Sequence, residues 1–162
     1  MIFTCSKCGE VHDDLPDIGF DKPDHWWDVP ENEREKRIEL TEDTCIIDNE
    51  HFFIRGVIEI PVHSYEHRLG FGVWISQKKE NFYTYLENPN SNEIGPFFGW
   101  LCNEIGYNDE KTLLLKTMAH FQGGNSRPLI EVESTEHPLS IDQQNGISLE
   151  KAWKIVHFYL DE

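Results

Sequence analysis

A short cysteine and histidine motif near the start of the chain carries the clearest chemistry in the sequence. It covers residues 3–12 and reads F-T-C-S-K-C-G-E-V-H, with Cys5 and Cys8 two residues apart and His12 four residues further on. A C-x-x-C turn points two thiolates at one position, and zinc binds such thiolates at about 2.3 Å. Gly9 suits this turn, because a chain that curls back there needs a positive φ. The spacing predicts half of a tetrahedral zinc site, with His12 as a third ligand.

The fourth ligand must come from elsewhere in the chain. Cys45 is the first candidate, because it precedes an apolar strand that can run beside the N-terminal turn, and His25 and Cys102 are the second and third. Two thiolates are typical of a closed, structural zinc site. One alternative is a pair of free thiols in a reducing cytosol. The other is a redox C-x-x-C, which normally opens a helix after a buried strand, whereas no helical pattern follows here.

A second set of polar residues could support acid–base chemistry. Glu131 and Glu133 fall two residues apart on a predicted strand, with Arg127 before them and His137 after them. Two buried carboxylates at this spacing can act as acid and base, so an enzyme that uses Glu131, Arg127 and His137 is one hypothesis. Solvent-facing acids give the same pattern, and His137 before Pro138 also suits a residue that fixes a turn. The known catalytic motifs, such as H-E-x-x-H, the nucleophile elbow and the phosphate loop, do not occur. The sequence therefore favours a protein that is not an enzyme.

Aromatic and basic side chains offer further candidates for a binding surface. Trp26 and Trp27 are adjacent in an acidic, proline-punctuated loop at residues 13–30. One of two neighbouring tryptophans usually packs into the core while the other stays partly exposed. They could also form a stacking platform in a small-ligand sensor, or one wall of the enzyme site. Arg55 and Glu59 share one face of a predicted strand, which indicates a structural ion pair.

Composition limits the classes of function that remain. The chain has 162 residues, 38% of them apolar and 12% aromatic, which predicts one folded domain rather than a disordered chain. Thirty acidic residues against fourteen basic ones give a formal charge of −16. This charge repels a phosphate backbone and an anionic membrane, and no apolar run is long enough to span a bilayer. We expect a cytoplasmic protein that binds neither nucleic acid nor membrane, and whose acidic surface either attracts a basic protein or only maintains solubility.

The hydrophobic pattern predicts an α+β fold. Alternating apolar residues indicate a hairpin of residues 45–47 and 52–62, a strand at 69–76, another at 97–102, and an antiparallel pair at 112–121 and 127–134. Helices are expected at residues 30–40, 77–86 (capped by Ser76), 137–145 and 149–160, the last capped by Ser148. We expect one domain, in which a zinc-knuckle-like segment of residues 1–30 packs on a body of residues 31–162. That body is an antiparallel sheet with packed helices.

Short motifs along nearly the whole chain resemble the bacterial domain-of-unknown-function 2199 family. They are F-x-C-x-x-C-G-x-x-H at residues 3–12, L-P at 15–16, D-T-C at 43–45, F-I-R-G at 53–56, E-I-P-V at 59–62, G-V-W-I-S at 72–76, F-G-W-L at 98–101, R-P-L-I-E at 127–131, H-P-L at 137–139 and G-I at 146–147. This family has no established activity to transfer. The resemblance implies that Cys5, Cys8, His12 and Cys45 lie inside family motifs, whereas Cys102 falls just beyond one.

The sequence therefore predicts a zinc-stabilised α+β protein that binds another molecule. Its zinc ligands would be Cys5, Cys8, His12 and Cys45, and metal binding would help to fold the N-terminal segment. The expected partner is a basic protein, attracted by the acidic surface. A narrower hypothesis is an immunity or antitoxin-like protein that masks a basic toxin.

Overall fold

The chain folds into a mixed β-sheet with helices packed on it. The computed structural model describes residues 15–160, together with the backbone of Phe3–Thr4 and Val11–His12; of Leu160 only the backbone is described. The strands of this part of the chain are β1 (Phe3–Thr4), β2 (Val11–His12), β3 (Ile18–Gly19), β4 (Ile38–Leu40), β5 (Thr44–Ile47), β6 (His51–Pro61), β7 (Arg68–Gln77), β8 (Phe97–Trp100), β9 (Lys116–His120) and β10 (Leu129–Val132). Its helices are α1 (Arg34–Arg37), α2 (Lys79–Glu87), α3 (Pro138–Asn145) and α4 (Leu149–Leu160), with short 3-10 helices at Asp24–Asp28, Glu31–Glu33 and Tyr107–Asp109.

Strands β6 and β7 form the centre of the sheet. They pair antiparallel over their whole length, from Phe52 opposite Gln77 to Pro61 opposite Arg68. The other edge of β6 is shared, because β5 pairs with its first half and β10 joins it at Val57. Strands β9 and β8 then continue the sheet in antiparallel pairs. Asp48 and Asn49, both at positive φ, make the turn of the predicted β5–β6 hairpin, which is confirmed.

The end of β8 returns to the open edge of β7. Leu101 forms an isolated antiparallel bridge with Ile75, and the Cys102 N–H donates to the Trp74 carbonyl at 2.8 Å. Gly99 allows this approach, because a Cβ on it would overlap the Ser76 carbonyl oxygen. The sheet therefore closes on itself at this point.

The α+β class is confirmed, but the prediction of a purely antiparallel sheet is wrong. Strand β10 runs parallel to β6, and β3 runs parallel to β7. Both pairs join segments separated by long stretches of chain, and long connections permit parallel pairing where a tight turn does not. The β9–β10 antiparallel pair is confirmed.

The main core lies on one face of the sheet, under the helices. From β6 it takes Ile54, Ile58 and Ile60, which are fully buried and alternate as the sequence predicts. Helix α4 adds Ala152 and Val156, which lie on the apolar face predicted from three- and four-residue spacing. The predicted Ser148 cap is also present, since its hydroxyl accepts a hydrogen bond from the Lys151 N–H at 3.1 Å.

A second, smaller apolar cluster lies on the opposite face of the sheet. Because side chains alternate along a strand, Phe53 and Trp74 point away from the main core. The buried residues of this second cluster are Val29, Cys45, Ile47, Phe53, Trp74 and Cys102. The irregular segment of residues 20–38 covers it, and Phe20 and Ile38 pack against it.

Three segment boundaries differ from the predictions. The helix expected at residues 30–40 ends at Arg37, because residues 38–40 form β4 and pair with β5 at the edge of the sheet. Helix α2 begins at Lys79 without a side-chain cap, and the Ser76 hydroxyl instead accepts a hydrogen bond from the Trp100 N–H. The strand expected from residue 112 starts at Lys116, because Leu114 adopts a turn conformation with a φ of 69°.

Replacing Gly99 with alanine tests the closure of the sheet. We expect Gly99→Ala to lower the free energy of unfolding by about 1–3 kcal/mol, because the new methyl group meets backbone that cannot move freely. Gly72→Ala is the matched control, since a Cβ there has its nearest neighbour, the Gly19 Cα, at 3.5 Å. Urea unfolding of both variants measures the difference. Equal effects of the two substitutions would contradict the close approach at Gly99.

Candidate functional site

Strands β1 and β2 bring together the two sides of the C-x-x-C motif. They pair antiparallel, with Phe3 opposite His12 and Thr4 opposite Val11. The six residues that join them include Cys5 and Cys8 and lie outside the described residues, as does the side chain of His12. The structure describes this backbone pairing, while the predicted zinc ligation stays a prediction.

The two cysteines that the structure describes are buried thiols. Cys45 is fully buried in the second cluster, opposite Phe53 in the sheet, and this burial raises its pKa to about 12. Burial also raises the pKa of the Cys102 thiol to about 12, and its sulfur donates to the Trp100 carbonyl at 3.2 Å. Without a bound metal, both thiols therefore favour the protonated state.

No group of three His, Cys, Asp or Glu side chains converges on a metal position within the described part of the chain. Cys45 lies with Cys102 in the second apolar cluster, and the His25 ring packs on Phe53, which is opposite Cys45 in the sheet. A thiolate at Cys45 would be desolvated at this buried position. As the fourth ligand that the sequence predicts, Cys45 therefore fits poorly unless a metal at the N-terminal hairpin reaches it.

The two tryptophans differ in exposure, but neither packs into the core as the sequence predicts for one of them. Both lie on the 3-10 helix Asp24–Asp28, where their rings meet edge to face at 4.6 Å between centroids. Trp26 is half-buried between two cations, with the Arg34 guanidinium 3.8 Å and the Lys22 ammonium 4.7 Å from its ring. Trp27 is 64% exposed. Arg34 also lies 5.4 Å from the Trp27 ring, so Trp27 is the more exposed ring but not a ring without a cationic neighbour.

Arg55 is enclosed rather than paired with Glu59, so that predicted ion pair is wrong. Only 12% of its side chain is exposed, and its guanidinium lies 5.8 Å from the Trp74 ring. It donates to the Glu42 carbonyl at 3.2 Å and approaches the Asp21 carboxylate at 3.5 Å. These contacts tie three segments of chain together, which is a structural role.

The residues of the predicted enzyme site are not brought together. Arg127 donates to the Asp43 carboxylate at 2.7 Å, whereas Glu131 lies 3.1 Å from His120 on the neighbouring strand. Glu131 lines a cavity of about 320 Å³, but neither Arg127 nor His137 is among the residues around it.

The imidazole of His137 is used within the fold. Its Nδ1 accepts a hydrogen bond from the Leu139 N–H at 3.0 Å and so caps α3, as expected for a residue that fixes a turn. Its Nε2 lies 2.8 Å from the Lys111 carbonyl. Both ring nitrogens are therefore occupied.

Sequence reasoning missed a buried polar network beside the second cluster. The Asn103 side chain is 1% exposed; its oxygen accepts from the Trp74 N–H at 2.7 Å, and its nitrogen donates to the Lys22 carbonyl at 2.9 Å. The Asp24 carboxylate accepts from the Glu104 N–H at 2.7 Å. The network joins residues about 80 positions apart, and no local pattern signals such pairs.

Glu104 continues this network toward the loop that precedes β9. Its carboxylate accepts hydrogen bonds from the Thr112 N–H at 2.6 Å and the Gly106 N–H at 3.2 Å. Partial burial opposes ionisation, but these hydrogen bonds outweigh it and hold the pKa of Glu104 below its usual value of 4.5. The carboxylate is thereby a structural acceptor that fixes the loop.

The fold and these contacts define a class of protein, an α+β domain whose candidate catalytic side chains are engaged in structural contacts. None of its described helices is long and apolar enough to cross a bilayer. A family model described as "Uncharacterized protein conserved in bacteria" matches residues 4–147. The chain therefore belongs to the domain-of-unknown-function 2199 family, and the resemblance seen in its motifs is confirmed. No curated protein and no solved structure matches it.

The Glu104 carboxylate makes stability depend on pH. We expect Glu104→Gln to lower the free energy of unfolding at pH 7 by about 0.5–1 kcal/mol, because solvent screening weakens a charged acceptor that is largely exposed. A depressed folded pKa adds stability above the unfolded value and loses it as pH falls through the folded value. The difference from wild type should therefore shrink below about pH 4.5.

Urea unfolding from pH 7 to pH 3 measures this effect. Glu133→Gln is the control, because Glu133 is exposed and its side chain has no hydrogen bond within residues 15–159. A Glu104→Gln deficit that stays constant across this pH range would contradict the role assigned to the carboxylate.

Proposed function

We propose that this protein acts by binding a basic protein, and that its recognition surface is the acidic segment around Trp27. The observation that carries the proposal is the exposure of Trp27 within residues 21–35, which hold six acidic residues and two basic ones. Both of those basic residues, Lys22 and Arg34, are placed over the Trp26 ring. The segment therefore combines an exposed aromatic ring with an excess of acidic charge, although Glu33 pairs with Arg37 and Asp21 approaches Arg55.

Ion pairs elsewhere in the described chain also support an excess of acidic charge at the surface. Arg37 lies 2.7 Å from Asp48, Arg127 lies 2.7 Å from Asp43, and Lys151 lies 2.6 Å from Asp142. Cations are thus largely committed to contacts within the chain, whereas acidic residues outnumber them by about two to one. A basic partner would be steered toward this surface and associate faster.

A tryptophan ring is the side chain that most often carries the binding energy at a protein interface. Trp27 would bury its ring on the partner, while the exposed Asp28 and Glu31 beside it would meet basic side chains at the rim. The catalytic alternative has no comparable support, because Arg127, Glu131 and His137 each contact different residues. A basic toxin, masked by an acidic immunity-type protein, is one partner that fits this chemistry.

Trp27→Ala tests the recognition surface. We expect it to weaken the complex by about 2 kcal/mol, roughly thirtyfold in Kd, as for other central interface tryptophans. Phe158→Ala is the matched control, because Phe158 is 63% exposed and lies on α4. Partners captured from a bacterial lysate at low salt are identified by mass spectrometry, and the leading one is purified for affinity measurements.

A double substitution at the rim tests the part played by the acidic charge. Asp28→Asn with Glu31→Gln should lower the association rate and its dependence on salt, since rim charges act mainly on the encounter. Acidic partners, or equal losses with Trp27→Ala and Phe158→Ala, would contradict the proposal.

We further propose that Cys5, Cys8 and His12 hold a structural zinc ion at the N-terminal hairpin. Support comes from the antiparallel pairing of β1 and β2, since a hairpin with a C-x-x-C loop is a usual setting for zinc. Zinc would supply the folding energy of a segment that is too short to build a core of its own. Cys45 is the fourth ligand that the sequence predicts, and its apolar surroundings make it the ligand most in need of a test.

Measuring the zinc content of the purified protein tests the zinc proposal. We expect about one zinc per chain in protein purified without chelator, and its loss together with a lower melting temperature in Cys5→Ser. Zinc retained in Cys45→Ser would exclude Cys45 and indicate another fourth ligand. Cys102→Ser is the control, because Cys102 is buried like Cys45. Metal-free wild-type protein, or zinc retained in Cys5→Ser, would contradict the site.

A further inference from the structure

The N-terminal segment enters the sheet beside the loop that joins β6 to β7. Strand β3 runs parallel to β7, with Ile18 opposite Phe71, and this register carried back along both strands puts Leu15 at the level of Arg68. The Leu15 N–H donates to the hydroxyl of Tyr65, a residue of the loop, at 3.0 Å. The chain that precedes Leu15 therefore starts from the loop end of the sheet.

Chain length limits where a metal bound by His12 can lie. Three residues of chain lead from His12 to Leu15 and span at most about 11 Å, and the histidine side chain with its bond to zinc adds about 7 Å. A zinc ion on His12 therefore lies within roughly 18 Å of the Leu15 Cα, near the β6–β7 loop.

Cys45 lies near the opposite end of the sheet. It pairs with Phe53 on β6, and Phe53 pairs with Ser76 on β7. From Arg68 to Ser76 the strand β7 covers roughly 26 Å, at about 3.3 Å per residue, and β5 lies beyond β6 as seen from β7. This distance exceeds the reach of a zinc ion on His12, even after about 5 Å is added for the cysteine side chain and its bond to zinc.

His67 is the residue of the β6–β7 loop that is well placed to bind this metal. Its ring meets the Tyr65 ring edge to face at 5.7 Å between centroids, so Tyr65 contacts both His67 and the Leu15 nitrogen. His67 is exposed, and its ring nitrogens have no hydrogen bond or ion pair in the described part of the chain. A neutral imidazole of this kind keeps a lone pair for zinc.

The other metal-binding side chains of the loop fit less well. The His63 Nε2 lies 3.0 Å from the Asn145 carbonyl, so this nitrogen is engaged at the end of α3. Glu66 offers a carboxylate, but structural zinc sites with two thiolates are completed by further cysteine or histidine.

We propose that His67 is the fourth ligand of the zinc site at the N-terminal hairpin, in place of Cys45. This ligand role rests on the zinc ion proposed at that hairpin. Together with Cys5, Cys8 and His12 it gives two thiolates and two imidazoles, a usual set for structural zinc. The metal would fasten the hairpin to the β6–β7 loop, and an exposed imidazole reaches it without the desolvation of a thiolate at Cys45.

Zinc affinity, measured under reducing conditions by competition with a chromogenic chelator, tests this assignment. We expect His67→Ala to weaken zinc binding at least about a hundredfold, and Cys45→Ser to bind zinc as tightly as wild type. His51→Ala is the matched control, because His51 is exposed and lies at the other end of β6 from the loop. Zinc bound equally tightly by wild type and His67→Ala would overturn the role of His67 and leave the zinc site standing. Wild-type protein that binds no zinc would contradict both.

Replacing His67 with cysteine separates a ligand from a residue that only supports the fold. In cobalt-loaded protein, the thiolate-to-metal absorption grows with the number of bound thiolates. We expect His67→Cys to keep the metal and to raise this absorption by about one half, since a third thiolate joins two. Cys45→Ser should leave the absorption unchanged. Equal absorption in His67→Cys and wild type, or a lower absorption in Cys45→Ser, would overturn the assignment.

Discussion

The pairing of β6 with β7 is the interaction on which the rest of the structure depends. Its ten consecutive residue pairs give the sheet one long, continuous element to which shorter strands attach on both edges. Since side chains alternate, the same hairpin supplies Ile54 and Ile75 to the main core and Phe53 and Trp74 to the second cluster. A shift of this pairing by one residue would move each of these side chains to the wrong face. Because both faces of this hairpin are apolar, the burial of side chains on each face specifies the same register.

Much of this arrangement could be predicted from local sequence. The β5–β6 hairpin, the β9–β10 pair and helices α3 and α4 follow from alternation, turn residues and caps that lie within a few positions of each other. The parallel partners of β6 and β7, the strand at Ile38–Leu40 and the closure at Leu101 could not be predicted. Each depends on which sheet edge is free in the folded chain, and that is a property of the whole molecule. The same limit applies to side-chain contacts, since Arg127 finds Asp43 across 84 positions.

The candidate site shows this limit most clearly. Residue type alone made Arg127, Glu131 and His137 plausible as a catalytic group, but each has a nearer partner that the sequence does not reveal. Asn103, which had no motif to mark it, is more deeply buried than any of them and connects Trp74, Lys22 and Asp24. The zinc motif is the opposite case, because three of its four predicted ligands, Cys5, Cys8 and His12, lie close together in sequence and need no tertiary information to be recognised.

Buried polar atoms without a hydrogen-bond partner lower the stability of one part of the fold. Among the described residues, three side chains have a buried nitrogen or oxygen without a partner: His25, Arg55 and Gln77. Each such atom costs about 1–3 kcal/mol relative to a satisfied one. His25 packs on Phe53, Arg55 lies over Trp74, and Gln77 shares a cavity with Phe53, so all three border the second cluster. The main core, under its helices, can supply the stability that this face lacks.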